Sequence, residues 1–182
     1  MTPFYTGTGD SGRTSYLGPG RISKASLRIE TVGSVDEASA ALGLAKAFAE
    51  SELTREIITH IQRQLYFLMA ELSAGLDDAE RFSKISENDI QWLEAQIADL
   101  EEKVVITREF ILPGETIASG ALALARTFVR RAERRTTALL ENGDIIKPLL
   151  LTYLNRLSSL VFLLEIYEVD LAGKTPSLAK EK

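Results

Sequence analysis

The sequence predicts an all-α fold, a five-helix bundle with four core helices and one more, preceded by an irregular glycine-rich segment. Three observations lead to this class. Backbone breakers are concentrated near the start, apolar residues then recur at three- and four-residue intervals, and capping signals separate the periodic stretches. The chain has 182 residues, 45% of them hydrophobic, and no cysteine. It therefore fits one domain, 1–182, with a core that needs neither disulfides nor thiolate-bound zinc.

In the first half of the chain the sequence predicts one loop, two complete helices and the start of a third. Residues 1–28 carry five glycines and two prolines, a density that indicates loop. Helices are predicted over roughly 29–49, where alanine, serine and glycine allow a neighbouring helix to approach closely, and over 53–75. A third helix begins at Ser86, which forms a capping box with Asp89.

The second half supplies two more helices and a tail. A fourth helix is predicted from about 116 to 141, where Asn142-Gly143 ends it, and a fifth from near Pro148 to about 167. Short connections between these helices favour antiparallel neighbours. The predicted domain therefore comprises the loop at 1–28, the bundle at 29–168 and a tail at 169–182, of which we expect residues 173–182 to fray.

Charge and hydropathy exclude several classes of protein. A net charge of −5 argues against a general nucleic-acid binder, because the release of counterions from phosphates needs a basic surface. The start of the chain lacks a basic patch followed by an apolar run, and we find no stretch of about 18 uncharged apolar residues. The sequence therefore predicts a cytoplasmic protein that is neither secreted nor embedded in a membrane.

The N-terminal loop alternates glycines with hydroxyl side chains over residues 6–15, and Arg21 and Lys24 follow it. Glycines let backbone N–H groups converge on an anion, and the hydroxyls add donors. The loop is neither a Walker A motif nor a Rossmann fingerprint, since no Gly-Lys-Ser/Thr closes it and no strand precedes it. From these residues alone, a phosphate site and a flexible solvent loop both remain open.

Five arginines stand against one acid, Glu133, between residues 126 and 135. At about 100° per residue, Arg126, Arg130 and Arg134 lie next to the predicted apolar face of the fourth helix. Like charges four residues apart repel unless an anion or carboxylate lies opposite, so these three arginines predict an anion site or a subunit salt bridge. Arg131 and Arg135 lie further round the helix, where surface ion pairs are the expected role.

Asn155 is a single amide among the leucines of the fifth helix. An unsatisfied buried amide costs about 1–3 kcal/mol, so this side chain needs a partner. Two roles for the Asn155 side chain remain open: it orients a ligand, or it locks the register of the helix.

Several segments form an ordered series along the chain. They are Tyr5-Thr6-x-Thr8-Gly9-Asp10-x-Gly12, Arg21-x-x-Lys24, Val32-Gly33-x-Val35-Asp36-Glu37 with Leu42-Gly43-x-Ala45, Phe110-Ile111-Leu112-Pro113-Gly114, Arg126-x-x-x-Arg130-Arg131-Ala132-Glu133-Arg134-Arg135, and Tyr153-Leu154-Asn155-Arg156-Leu157-Ser158. In this order, and over nearly the whole chain, these segments resemble the PduO-type ATP:cob(I)alamin adenosyltransferases.

The resemblance implies a homotrimer of five-helix bundles in which ATP, Mg²⁺ and cobalamin meet at each subunit interface. It implies that one subunit wraps ATP with Thr6, Thr8, Gly9, Asp10, Gly12, Arg21 and Lys24. The neighbouring subunit would hold ATP with Arg130, Glu133, Arg134 and Asn155, supported by Arg126. Asp36 would pair across the interface with Arg130, and a reductase or a cobalamin-dependent enzyme is the implied further partner.

The resemblance also implies that Phe110 lies under the corrin ring, where it disfavours the lower axial ligand and eases reduction to cob(I)alamin. Two positions depart from the family pattern. Gly7 stands where lysine or arginine is frequent, which removes a possible phosphate contact. Ser159 stands where aspartate is common, which leaves one arginine without an assigned carboxylate partner.

Without the resemblance, two other functions stay open. One is an ATP-binding enzyme that hydrolyses the nucleotide or transfers a phosphoryl group, which needs a carboxylate to activate water. The other is a helical interaction module whose arginines bind an acidic partner. Composition and spacing by themselves do not point to cobalt.

Overall fold

The computed structural model describes residues 5–107 and 109–180, and these residues are predominantly helical. Residues 1–4 of the predicted loop and 181–182 of the predicted tail lie outside the described residues. In chain order the elements are β1 (Arg13–Ser15), β2 (Arg21–Ser23), α1 (Leu27–Phe48), α2 (Glu52–Ser73), a 3-10 turn (Leu76–Asp78), α3 (Ala79–Phe82), α4 (Glu87–Glu101), α5 (Ile117–Glu141) and α6 (Leu149–Leu171).

Helix α5 lies at the centre of the packing. It contacts α1 on one side and α6 on the other, while α2 packs against α1 and α4 packs against α6. Ion pairs join Glu37 to Arg131 and Glu30 to Arg135, so α1 and α5 run antiparallel. The buried residues of these helices form one continuous core. The predicted helical class is confirmed, whereas the exact five-helix description is not, because the structure adds α3 and a hairpin.

Among the described residues, α6 is the one helix that is long and apolar enough to be a candidate membrane span. By length and composition alone its 23 residues are sufficient to cross a bilayer, although 61% of the most apolar window is buried inside the protein. Its inward side chains include Leu154, Leu157 and Val161, which are fully buried. In this structure α6 therefore serves as the core helix against which α5 and α4 pack.

The prediction of an irregular loop over 1–28 is wrong in two respects. First, Arg13–Ser15 pairs antiparallel with Arg21–Ser23, with Thr14 opposite Ile22. Long-range hydrogen bonds stabilise this hairpin, since the Arg21 guanidinium donates to the carbonyls of Thr8 and Arg13, each at 2.6 Å. Second, the helix begins at Leu27, because the Ser26 side chain caps it.

The C-terminal tail was expected to fray, and this prediction is wrong for its described residues. Leu178 forms an antiparallel bridge with Ile111. The Leu112 N–H donates to the Ser177 carbonyl at 2.8 Å, and the Ala179 N–H donates to the Phe110 carbonyl at 2.8 Å. Backbone pairing with a distant loop, which no local pattern reveals, fixes the tail to this loop.

Two capping predictions are confirmed. Ser86 and Asp89 form the predicted capping box at the start of α4. Helix α5 ends at Glu141, and Gly143 follows with a φ of 73°, a left-handed conformation that suits glycine. Residues 104–106 form no strand, as predicted.

Arg28, in the first turn of α1, joins three parts of the fold that are distant in sequence. Its guanidinium donates to the carbonyls of Leu72 and Ala74 at the end of α2, at 2.7 and 2.6 Å. It also donates to the carbonyl of Asp144, between α5 and α6, at 2.7 Å. Because helix ends leave carbonyls without partners inside the helix, one side chain here satisfies acceptors on separate elements.

We predict that Arg28→Ala lowers the free energy of unfolding by about 3 kcal/mol, because partly buried carbonyls lose charged donors. Urea denaturation at fixed protein concentration measures the change. Arg63→Ala, at an exposed position of α2, is the control and should change the free energy by less than about 0.5 kcal/mol. Equal effects of the two substitutions would contradict the role assigned to Arg28.

Candidate functional site

The arginines of α5 divide into two groups, as their helical spacing predicted. Arg131 pairs with Glu37 at 2.5 Å and its Cζ lies 4.8 Å from the centre of the Phe128 ring. Arg135 lies 4.0 Å from Glu30. Both therefore form ion pairs on the surface with α1, which is the role expected for them.

The other three arginines face away from α1. Arg126 is partly buried, with 34% of its side chain exposed, and its Cζ lies 5.4 Å from the centre of the Phe162 ring on α6. Arg130 is exposed, and Arg134 is exposed and donates to the Arg130 carbonyl at 3.0 Å. Positive charge thus runs along one edge of the α5–α6 seam, from the partly buried Arg126 to exposed Arg134.

Asn155 connects the two helices of this seam. Its amide donates to Glu133 Oε1 at 2.9 Å, and Arg156 donates to its Oδ1 at 3.1 Å. The expectation that Asn155 lies next to the core is wrong, because the residue is exposed. Its contacts bring together Glu133 on α5 and Asn155 on α6, two residues that the family resemblance implies belong to one site.

Two neighbouring cavities open along the seam. The first, of about 270 Å³, is lined by Glu109, Phe110, Ile111, Arg126 and Phe162. The second, of about 280 Å³, is lined by Ile97, Glu101, Ile106, Arg126, Arg130, Ser158, Ser159, Phe162 and Leu163. Arg126 and Phe162 belong to both cavities. Phe110 is 88% exposed at the first cavity, an unusual position for a large apolar side chain.

Glu165 is a residue of this site that the sequence reasoning missed. It lies on α6 with its side chain 3% exposed, and its Oε2 is 4.0 Å from Arg126 Nε. Burial raises its pKa to about 7, although the nearby Arg126 guanidinium opposes this rise. A carboxylate inside the apolar stretch Leu160–Ile166 was the signal that could have identified it.

The glycine-rich loop forms two successive turns. The Asp10 N–H donates to the Gly7 carbonyl at 3.1 Å, and the Gly12 N–H donates to the Gly9 carbonyl at 3.2 Å. Gly7 and Gly12 have φ values of 66° and 72°, in the left-handed region that side chains disfavour. The hydroxyls of Thr6 and Thr8 lie 2.9 Å apart. The chain therefore presents a turn of glycines and hydroxyls, as predicted.

The two cations that follow this loop differ in position. A Cβ at Gly9 would lie 3.0 Å from Lys24 Nζ, so the lysine ammonium lies directly against the glycine turn. The Arg21 guanidinium instead donates to backbone carbonyls of the hairpin. Lys24 is thus the cation that lies against the glycine turn, whereas Arg21 holds the loop in shape.

The start of α1, to which the glycine loop is attached, lies level with one end of the arginine seam and not with the other. The loop joins α1 at Leu27, close to the level of Arg134 given the Glu30–Arg135 pair, whereas Arg130 lies at the level of Glu37, given the Glu37–Arg131 pair. Ten residues of helix separate these levels, which is roughly 15 Å at 1.5 Å per residue. Asp36 is exposed on α1.

The family model described as Cobalamin adenosyltransferase matches residues 4–168. The chain belongs to this family. It is 38% identical over 161 residues to the corrinoid adenosyltransferase PduO of Citrobacter freundii, covering 88% of this chain and 48% of the relative. It is 37% identical to the corrinoid adenosyltransferase of Bacillus subtilis, covering 87% and 82% of the two chains.

Solved structures of the same family share the fold. A variant of the PduO-type ATP:corrinoid adenosyltransferase from Lactobacillus reuteri, complexed with cobalamin and ATP, matches with a TM-score of 0.91 and 31% identity. The match covers 98% of this chain and 100% of that chain. A second variant, complexed with ATP, gives a TM-score of 0.89 at 30% identity, covering 97% and 100%. The chain spans about half the length of the PduO relative from Citrobacter freundii.

Glu115 attaches the C-terminal tail to the start of α5, beside the Phe110 segment. Its carboxylate accepts the Ser177 N–H at 3.1 Å, and its carbonyl accepts from Lys174 Nζ. Hydrogen bonds from Ser177 lower the pKa of Glu115. Together with the backbone pairing of 110–112, these contacts hold the loop that carries Phe110 at the rim of the first cavity.

We predict that a truncation after Lys174 increases amide exchange at Leu112 by at least about tenfold, because its acceptor, the Ser177 carbonyl, is removed. Hydrogen exchange followed by mass spectrometry or NMR measures the rate. The Ser119 amide, which bonds to Thr116 in the capping box, should be unchanged. Unchanged exchange at Leu112 would show that the tail does not hold this loop.

A second prediction concerns Glu165 and pH. Because its folded-state pKa is raised above the ordinary value of 4.5, its contribution to stability is present below pH 4.5 and is lost as pH rises through about 7. Glu165→Gln should therefore raise the free energy of unfolding by about 2 kcal/mol at pH 8 and leave it unchanged near pH 4. Thermal unfolding of both proteins across this range tests the prediction. A difference that does not vary with pH would contradict it.

Proposed function

We propose that the protein transfers the 5′-deoxyadenosyl group of ATP to the cobalt of cob(I)alamin, forming adenosylcobalamin and releasing triphosphate. The chain belongs to the cobalamin adenosyltransferase family, and one structural observation supports this reaction. An exposed phenylalanine, Phe110, and a partly buried cation, Arg126, line the same cavity beside the exposed cations of α5. Such a cavity offers an apolar wall for a corrin ring next to positive charge for a triphosphate.

Phe110 is the residue that we assign to the corrinoid. Its ring is almost fully exposed, and backbone pairing with the C-terminal tail fixes the segment that carries it. A ring placed under the corrin plane excludes a lower axial ligand from cobalt by occupying its position. Four-coordinate cob(II)alamin is then easier to reduce to the cob(I) nucleophile.

Lys24, Arg130 and Arg134 are the cations that we assign to the triphosphate. Fixed positive groups stabilise the negative charge that grows on a leaving group. The Thr6 and Thr8 hydroxyls of the glycine turn add neutral donors, and Gly9, Asp10 and Gly12 complete the loop residues that we assign to ATP. Arg21 contributes indirectly, because its guanidinium keeps the Thr8 backbone in place. Glu133 and Asn155, joined by a hydrogen bond, orient the nucleotide or the arginines.

The reaction needs no nucleophilic side chain. Cobalt(I) attacks the 5′ carbon of ATP with its own electron pair, a cobalt–carbon bond forms, and the bond between this carbon and the phosphate oxygen breaks. The leaving group carries its electrons away as triphosphate. Within residues 5–107 and 109–180, no group of three His, Cys, Asp or Glu side chains is placed to hold a metal ion. We therefore assign the ligands of Mg²⁺ chiefly to the phosphate oxygens.

We further propose a cytoplasmic homotrimer in which each site combines the loop of one subunit with the seam of its neighbour. The separation of roughly 15 Å along α1 between the start of this helix and the level of Arg130 supports a site in which Arg130 meets the loop of another subunit. The exposed ring of Phe110, at the first cavity, supplies apolar surface for such an interface. In this arrangement Asp36 pairs with Arg130 of the next subunit, and the five long helices are the repeating unit. A reductase that delivers electrons to cobalt is the expected partner.

Anaerobic incubation with ATP, Mg²⁺ and chemically reduced cob(I)alamin tests the reaction. The absorption spectrum should change to that of adenosylcobalamin, with one triphosphate released per corrinoid converted. Orthophosphate or ADP as the product would instead favour nucleotide hydrolysis or phosphoryl transfer. No nucleotide-dependent change at all would favour an interaction module.

We predict that Arg130→Ala abolishes turnover while the fold survives, because the triphosphate loses a fixed cation that is exposed at the seam. Arg135→Ala is the matched control, since Arg135 lies on the same helix but pairs with Glu30 of α1. It should reduce the rate by less than about threefold. Steady-state assays and circular dichroism measure both variants. Equal loss of activity would argue against the division of the arginines.

A further inference from the structure

We propose that Glu165 is a positioning residue of this site, whose carboxylate holds the Arg126 guanidinium against Phe162 at the junction of the two cavities. The inference rests on the proposed function, because Arg126 matters only if the cavities receive the substrates. The structure places one buried carboxylate, that of Glu165, beside this arginine.

The geometry of the pair carries the first step. Arg126 Nε and Glu165 Oε2 face each other at 4.0 Å, and the Glu165 side chain is 97% removed from solvent. Among the described residues, neither of these two buried atoms has a hydrogen-bond partner. A hydrogen bond between them needs a distance of about 2.9 Å, so a movement of about 1 Å satisfies both atoms at once.

Phe162 supplies the second step, because it limits where the guanidinium can lie. The Arg126 Cζ is 5.4 Å from the centre of the Phe162 ring, within the range of a cation–π contact. Phe162 and Glu165 are three residues apart on α6 and therefore lie on the same side of that helix. One helix thus provides both the aromatic face and the carboxylate, and the cation between them lines both cavities.

The surrounding charges decide in which form Glu165 acts. The Arg126 guanidinium favours its carboxylate form. The other charged side chains that line the two cavities are Arg130 from α5, Glu101 from α4 and Glu109 from the connection before Phe110. Burial favours the neutral form and places the change of charge near neutral pH. The ionised form attracts Arg126, so the guanidinium is held more tightly as pH rises from 6 to 8.

The stability argument separates positioning from simple packing. A buried carboxylate weakens the fold above neutral pH, where glutamine of the same shape does not. If Glu165 only filled space, glutamine at this position would therefore support activity at least as well as glutamate. Glu165 is expected to reduce stability and to increase activity, and these opposite signs are what a positioning role requires.

The experiment compares wild type, Glu165→Gln, Arg126→Ala and the double variant, in the full chain with ATP and cob(I)alamin. At pH 8, Glu165→Gln should lower kcat/KM for the corrinoid about tenfold, and at pH 6 by less than twofold, because the wild-type carboxyl is then mostly neutral. In the Arg126→Ala background the same change should have less than a twofold effect, since the carboxylate acts through the arginine.

Glu30→Gln is the matched control. Glu30 also lies 4.0 Å from an arginine of α5, but its side chain is 54% exposed and its partner, Arg135, is not among the residues lining either cavity. It should leave kcat/KM unchanged at both pH values. A tenfold loss in Glu165→Gln that persists in the Arg126→Ala background, or that is the same at pH 6 and pH 8, would overturn the proposal.

A measurement without turnover distinguishes failure of this inference from failure of the proposed function. The Arg126 Nε–H signal in the NMR spectrum should shift between pH 6 and 8 in wild type and not in Glu165→Gln. If wild type makes no adenosylcobalamin, the proposed reaction fails, and the Nε–H titration still reports whether the pair forms. If the signal does not titrate in wild type, the pairing with Glu165 is refuted whatever the activity.

Discussion

Helix α5 packs between α1 and α6, and the contact with α1 is close because small side chains form it. Ser34, Ala38 and Ala41 on α1 and Ala125 and Ala132 on α5 are buried. Short side chains let two helix axes approach, and the approach fixes how far α5 is rotated about its own axis. That rotation places Arg131 and Arg135 against carboxylates of α1. It therefore also directs Arg126 and Arg130 toward α6, where the two cavities open.

Polar groups at long range then fix the parts that surround this packed centre. Arg28 joins the end of α2 to the connection between α5 and α6, and the Leu17 N–H donates to the Ser73 carbonyl, which attaches the N-terminal segment. Buried Glu71 accepts from Lys147 at 2.8 Å and thereby links α2 to the start of α6. Each contact satisfies groups that would be costly to bury alone. The glycine loop and the Phe110 segment are consequently held at defined places on a rigid bundle, as a site that positions two substrates requires.

The site combines three features that are each unfavourable for the stability of the folded chain. A large exposed ring, a like-charged ladder and a buried carboxylate all reduce the stability of an isolated chain. Their concentration along one seam is the reason to regard the seam as functional rather than as ordinary surface. Helix α5 also carries Arg131 and Arg135, which form ion pairs with carboxylates of α1. Composition alone therefore does not distinguish the two faces of this helix. Only the side of the helix on which each arginine lies separates them.

The sequence by itself determined the helical class, the caps at Ser86 and Gly143, and the division of the arginines, because each depends on residues within one or two helical turns. It did not determine the pairing of β1 with β2, the docking of the tail on 110–112, or the exposure of Asn155. It also missed Glu165, which lies 39 positions from Arg126. These features depend on how helices rotate and approach one another, and contacts between distant residues set that geometry. Tertiary structure alone therefore decided which carboxylate lies beside Arg126 and that the C-terminal tail holds the loop carrying Phe110.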